Sequence, residues 1–185
     1  MTRVDDETVL VVDDEPQLAE LYSMLLAGEY EVRTATGGPE ALDLVDREVD
    51  VALLDRRMPR MSGDELLDEL RERGIEAKVA MLTAVEPDVD IVDMPFDDYR
   101  TKPVAAAELR GLVRMLLLRA SYDEGSQEFF QLASKKAALE TAGKEDTEEY
   151  RQLSERMAAV REEIDTTLDQ VDAEAAFADL AEPRV

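Results

Sequence analysis

The stretch Val9-Leu10-Val11-Val12-Asp13-Asp14-Glu15-Pro16 decides the fold. Its apolar half is continuous, as in a strand buried on both faces of a parallel sheet. It then stops on three carboxylates and a proline suited to the first turn of a helix. Four more runs share this layout: Tyr30-Glu31-Val32-Arg33-Thr34, Val51-Ala52-Leu53-Leu54, Lys78-Val79-Ala80-Met81-Leu82 and Tyr99-Arg100-Thr101. The second alternates in polarity and is expected at a sheet edge. Between the runs, Leu18, Leu21, Tyr22, Leu25 and Leu26, and then Leu66, Leu67 and Leu70, show the three-and-four spacing of amphipathic helices. Strand alternating with helix predicts an α/β fold, a doubly wound five-stranded parallel sheet.

Sheets of this kind place ligands beyond the carboxyl ends of their strands. Asp13 and Asp14 follow the first run, Asp55 the third, Thr83 the fourth and Lys102 the fifth. Alone, each has a structural explanation: Asp13-Asp14 as a helix cap, Thr83 as a strand-end turn, Lys102-Pro103 as the start of a helix. Together on one rim, the carboxylates would repel one another unless they share a proton or hold a cation. Hard oxygen ligands select magnesium or manganese. With Lys102 and a cation balancing Asp13 and Asp14, Asp55 can stay ionised and attack a phosphoryl group.

Composition narrows the chemistry further. The 185 residues contain no cysteine and no histidine, which excludes disulfides, thiolate metal sites, imidazole catalysis and phosphohistidine donation by this chain. The 45 acidic side chains outnumber 21 basic ones, for a net charge of −24. The excess falls on both halves, with 28 acids against 14 bases in residues 1–119 and 17 against 7 in residues 120–185. An acidic, lysine-poor surface suits a salt-rich cytoplasm, where charges are screened over a few ångströms. Met1-Thr2-Arg3 leads into Asp5, Asp6 and Glu7, and Leu112–Leu118 is interrupted by Arg114, so neither a signal peptide nor a membrane span is expected.

With these residues in view, residues 8–119 resemble the receiver domain of two-component response regulators, a flavodoxin-like fold. The resemblance rests on the acidic pair, Asp55-x-x-Met58-Pro59 with Gly63 downstream, Thr83-Ala84, Tyr99 and Lys102-Pro103. It implies that Asp55 accepts a phosphoryl group from a partner sensor histidine kinase. It further implies that Mg2+ (or Mn2+) is held by Asp13, Asp14, Asp55 and the backbone carbonyl of Arg57. Thr83 and Tyr99 would act as switch residues and Lys102 would pair with the phosphate. Beyond that phosphotransfer and slow loss of the phosphoryl group, no enzyme activity is expected. The alternatives are a metal-dependent phosphohydrolase working through an aspartyl phosphate, and a receiver-like scaffold that takes no phosphate.

Two features depart from the family pattern. Segment 86–93 is short, proline-bounded and β-branched, which predicts a marginal helix, mobile without phosphate, on the face through which many receivers dimerise. Asp55 is followed by Arg56-Arg57, expected as a solvated pair; as an alternative, Arg57 reaches over the phosphoryl group and limits water.

The remainder, residues 120–185, reads as a separate helical domain after a helix from about Val104 to Arg119. A break is expected at residues 121–126. A first helix then carries Phe129, Leu132 and Leu139 and stops near Gly143. Asp146 and Glu149 resemble a capping box for a second helix with Tyr150, Leu153, Met157, Val160 and Ile164 as its seam, and Leu168 and Val171 shifting the register. A helical hairpin or coiled coil is expected, packed on itself, on the preceding helix or on a second copy as a homodimer. This tail resembles the HalX domain of halophilic archaea, which implies transcriptional regulation. Its net charge of −10 opposes DNA contact, so signalling through protein contact is the physically easier expectation.

Overall fold

A computed structural model of the chain describes residues 7–120, 122 and 124–181, with the backbone alone described at Glu124 and residues 167–181. Along the chain run β1 (Thr8–Val12), α1 (Pro16–Leu26), β2 (Glu31–Ala35), α2 (Gly38–Leu44), β3 (Val49–Leu54), α3 (Gly63–Glu72), β4 (Lys78–Thr83), a 3-10 helix η1 (Val89–Asp93), β5 (Asp98–Thr101), α4 (Ala106–Ala120), α5 (Glu124–Thr141) and α6 (Glu148–Ala181). The five strands form one parallel sheet in the order β2-β1-β3-β4-β5. The alternating run Glu31–Ala35 is an edge strand, as its half-polar pattern predicts.

Side-chain alternation divides the sheet between two layers. Val9, Val11, Val51, Leu53, Ala80 and Leu82 pack against Ala19, Tyr22 and Leu26 of α1 and against Leu109, Leu112, Val113 and Leu116 of α4. Their neighbours Leu10, Val12, Ala52, Leu54, Val79 and Met81 face Ala41 of α2, Leu66, Leu67 and Leu70 of α3, Ile91 of η1 and Phe96. The same second core includes Ala138, Leu139 and Leu153 of the C-terminal helices. Of the three packings open to the hairpin, the structure therefore shows α5 and α6 packed together and seated on η1 and β5. The outer side of η1 and β5 is thus covered from within the chain.

Segment boundaries follow local chemistry. Ser62 and Glu65 form a reciprocal capping box at the start of α3. Segment 86–93 contracts to η1, with the Asp88 side chain accepting from Val89 N at 2.7 Å. It is covered by the hairpin, and Ile91 is fully buried. Gly143 ends α5 at φ 69°, the left-handed conformation that favours glycine. The cap of α6 is Thr147, whose Oγ1 accepts from Tyr150 N at 3.3 Å, so the expected Asp146 cap moves by one residue. Of the break expected at 121–126, Ser121 and Asp123 lie outside the described residues, while Gly125 and Ser126 are already helical. Leu168 and Val171 lie where the backbone alone is described.

Candidate functional site

The β1 and β3 neighbours end side by side where the strand order reverses, and the chain turns there into its acidic residues. Asp13 and Asp55 are buried and Asp14 half-buried, and each can offer an oxygen within 4.8 Å of the others'. Lys102, delivered from the end of β5, donates from Nζ to Asp13 Oδ2 at 2.6 Å and to Asp55 Oδ2 at 3.1 Å. Its side chain is only 11% exposed, so these charges meet largely out of water. The Lys102–Pro103 peptide bond is cis. Burial opposes the ammonium, but its bonds to Asp13 and Asp55 outweigh that and raise the Lys102 pKa. Asp14 is pushed up by burial and then by the negative charges of Asp55 and Asp13.

Other groups frame this cluster. Asp13 Oδ1 accepts from Glu15 N at 2.9 Å, but Glu15 is the N-cap of α1 and makes no side-chain cap bond, so neither Asp13 nor Asp14 caps the helix as their position suggests. Asp55 Oδ1 accepts from Arg57 N at 3.2 Å. Thr83 is buried at the end of β4, and its Oγ1 accepts from Val85 N at 3.2 Å. Tyr99 already lies inward, tilted on Phe96, with its hydroxyl donating to Val85 O at 2.7 Å.

The arginines after Asp55 do not behave as a pair. Arg57 is exposed, as expected. Arg56 instead turns along the surface, donating from Nε to Asp64 Oδ1 at 3.0 Å and from Nη2 to Asp64 Oδ2 at 3.1 Å and to Asp90 Oδ2. Its solvated expectation fails because two carboxylates, on α3 and η1, enclose the guanidinium. Hydrophobic periodicity carries no signal for such a clamp; the one hint in the sequence is an arginine directly beside the buried Asp55.

Gly63 holds this loop in shape. Its N donates to Arg56 O at 2.8 Å, and a Cβ there would come within 2.2 Å of Asp55 O. A Gly63→Ala substitution is therefore expected to displace the Asp55 backbone and cost about 1–3 kcal/mol in a denaturant titration. Wild-type stability in that variant would show that the loop yields freely.

Three comparisons bear on this arrangement. Residues 9–114 match the family model of the response regulator receiver domain, and residues 118–181 match the HalX domain. The chain belongs to the response regulator receiver family. A Haloferax volcanii protein, named as a transcriptional regulator, is 48% identical over 170 residues, covering 90% of this chain and 29% of its own length. The sensory transduction protein RegX3 of Mycobacterium tuberculosis is 39% identical over 122 residues, 63% of this chain and 53% of that protein. The chain thus spans roughly a third to a half of the length of such curated relatives. Among solved structures, the receiver domain of a Francisella response regulator aligns with a TM-score of 0.57 at 30% identity, over 62% of this chain and 99% of that one. The Thermotoga maritima response regulator TrrA, solved with Mg2+ and BeF, aligns with a TM-score of 0.52 at 36% identity, over 60% of this chain and 99% of that one.

Receiver domains bind Mg2+ at an acidic aspartate cluster, and this receiver's residues fit that ion: the donors are hard oxygens drawn together on one rim. At tenfold above its dissociation constant, magnesium is expected to stabilise the chain by about 1.4 kcal/mol. Asp14 makes the effect of magnesium depend on pH. Because its folded pKa lies above 3.8, the folded chain holds a proton that the unfolded chain has lost, and this group's contribution falls as pH rises through that window. A cation competes for the same oxygen, so the magnesium-induced rise in melting temperature is expected to shrink as pH falls toward the window. A rise that stays constant across the titration would count against metal binding at Asp14.

Proposed function

We propose that this chain is the phosphoacceptor of a two-component relay, with Asp55 the residue modified. The observation that carries the reading is the convergence of Asp13, Asp14, Asp55 and Lys102 at the carboxyl ends of β1, β3 and β5. With no histidine in the chain, the donor is a separate sensor histidine kinase. An Asp55 oxygen attacks the phosphorus of the donor's phosphohistidine; the P–O bond forms as the P–N bond breaks, and the imidazole keeps the electron pair. Asp13, Asp14, Asp55 and the Arg57 carbonyl would hold Mg2+, which neutralises charge on the phosphoryl oxygens. Lys102 is close enough to pair with the new phosphate, and Thr83 supplies a hydroxyl from the neighbouring strand end.

Turnover as a phosphohydrolase is disfavoured by Arg57. It stands two residues beyond Asp55, where such enzymes carry an acid/base carboxylate, and it offers no equivalent proton relay. Output passes through the α5–α6 hairpin, because that element shares a core with η1 and β5 beside the switch residues Thr83 and Tyr99. Contact with another protein suits its acidic surface better than DNA does, although the HalX match and the Haloferax volcanii relative support a transcriptional setting. No described helix is long and apolar enough to cross a membrane, and a salt-rich cytoplasm fits the charge of −24.

Acetyl phosphate with magnesium is expected to add one phosphoryl mass to the intact chain, mapped to Asp55 and lost in Asp55→Asn. An unmodified wild-type chain, or an adduct that persists in the variant, would sink this reading.

A further inference from the structure

Two sets of bonds flank the phosphoacceptor. Arg56 follows Asp55 directly, and its backbone is pinned by Gly63 N. Its guanidinium, 11% exposed, reaches Asp64 on α3 and Asp90 on η1, and its positive charge acts on the Tyr99 phenol. Tyr99 in turn donates to Val85 O, and Val85 N donates to Thr83 Oγ1 at the end of β4. Thr83, the Val85 backbone and Tyr99 are thus bonded in series, with the charge of Arg56 acting at the Tyr99 end.

On its other side, η1 carries the hairpin. Lys135 Nζ, buried, donates to Val92 O at 2.8 Å and stands 5.5 Å from the centre of the Phe96 ring. Lys144 Nζ lies 3.5 Å from Asp88 Oδ1. Besides packing over Ile91, the described structure therefore ties η1 to the receiver through Arg56 and to the hairpin through Lys135 and Lys144.

We propose that Arg56 is a positioning residue for the switch: by joining Asp64 and Asp90 it latches η1, and the hairpin seated on η1, in the resting arrangement that phosphorylation of Asp55 releases. This rests on the phosphoacceptor reading above. The physical ground is that the guanidinium, itself largely buried, makes charge-assisted bonds to carboxylates on two separate elements, Asp64 and Asp90, which are 37% and 55% exposed. A rearrangement at Thr83 disturbs Val85 and hence Tyr99, whose phenol lies in the field of Arg56, and Asp55 itself is joined to Arg56 by one peptide bond. Because η1 is a single short turn, it has little helical cooperativity of its own to resist that loss.

The test uses hydrogen exchange on the full chain, in wild type, Arg56→Met, Asp90→Asn and the conservative Arg56→Lys, before and after beryllofluoride with magnesium. In the untreated state, Arg56→Met and Asp90→Asn are expected to exchange about tenfold faster than wild type across residues 88–93 and 132–139, the change that loss of one charge-assisted contact produces in a local opening constant. Strands β1 and β3 should keep wild-type protection, and Arg56→Lys should restore part of it in η1. Beryllofluoride should raise exchange of the same segments in wild type and add little in Arg56→Met, although acetyl phosphate still modifies Asp55 in that variant. Unchanged η1 exchange in both untreated variants overturns the latch, and so does a uniform rise throughout the sheet, which marks a merely structural residue. Absence of an Asp55 adduct in wild type would overturn the phosphoacceptor reading instead, and the untreated comparison would still decide whether Arg56 holds η1.

Discussion

In a Lys102→Ala chain, unfolding free energy without divalent cation is expected to fall by about 3–5 kcal/mol, the range for removing one partner of a buried ion pair. Lys102 touches both Asp13 and Asp55, at 2.6 and 3.1 Å, and its loss leaves three carboxylates crowded on one rim. Excess magnesium should restore most of the loss, because the ion supplies the missing positive charge to the same oxygens. Denaturant titrations with chelator and with magnesium measure both quantities. A variant as stable as wild type under chelator would show that water, and not Lys102, balances the cluster. The alkaline limb provides an independent check. The folded pKa of Lys102 is raised above 10.5, so its stabilisation is complete below 10.5 and is lost as pH rises through the raised value. Lys102→Ala should lack that part of the alkaline decline.

Phe96→Ala is expected to cost about 3–5 kcal/mol, as removal of a fully buried phenylalanine does. Phe96 stands between η1 and β5, with Tyr99 on one side at 5.7 Å between ring centroids and Lys135 on the other. The cavity therefore opens where receiver and hairpin share one core. Wild type should unfold with coincident transitions by helix content and by aromatic signal. In Phe96→Ala, the hairpin should come away at lower denaturant than the sheet. Coincident transitions in the variant would mean that the two parts are coupled chiefly elsewhere, for instance where Arg119 lies over Phe130 at 5.2 Å.

The sheet and its rim are legible in the sequence because both obey one rule. Apolar runs buried on two faces carry little ambiguity, and the residues just after each run land at a known end of the sheet. Val9–Val12 and Val51–Leu54 therefore bring Asp13, Asp14 and Asp55 together on the strength of sequence alone. The hidden features are charges that point inward. Asp97 is buried beside β4, accepting from Val79 N at 2.8 Å and from Gln131 of α5 at 3.0 Å. Asp98 accepts from Ser134 of α5 at 2.7 Å. Lys135 turns under the hairpin. A periodicity argument assigns every such residue to solvent, and only a partner distant in sequence reverses that assignment. Arg56 escapes the sequence for the same reason. The shift of the α6 cap from Asp146 to Thr147 is smaller: two adjacent capping residues compete, and the backbone geometry of the turn selects one.

The shared core of η1, β5 and the hairpin also bears on how such a protein could be divided. A receiver cut at residue 119 would uncover the part of the core that Ala138, Leu139 and Leu153 close, and would strip Asp97 and Asp98 of their Gln131 and Ser134 donors. Such a fragment would be adhesive there, and its self-association would report the wound left by excision instead of the habit of the intact molecule. Receiver and tail are in that sense not interchangeable cassettes: a tail grafted from another regulator would need its own counterparts of Gln131, Ser134 and Lys135 before it could sit down.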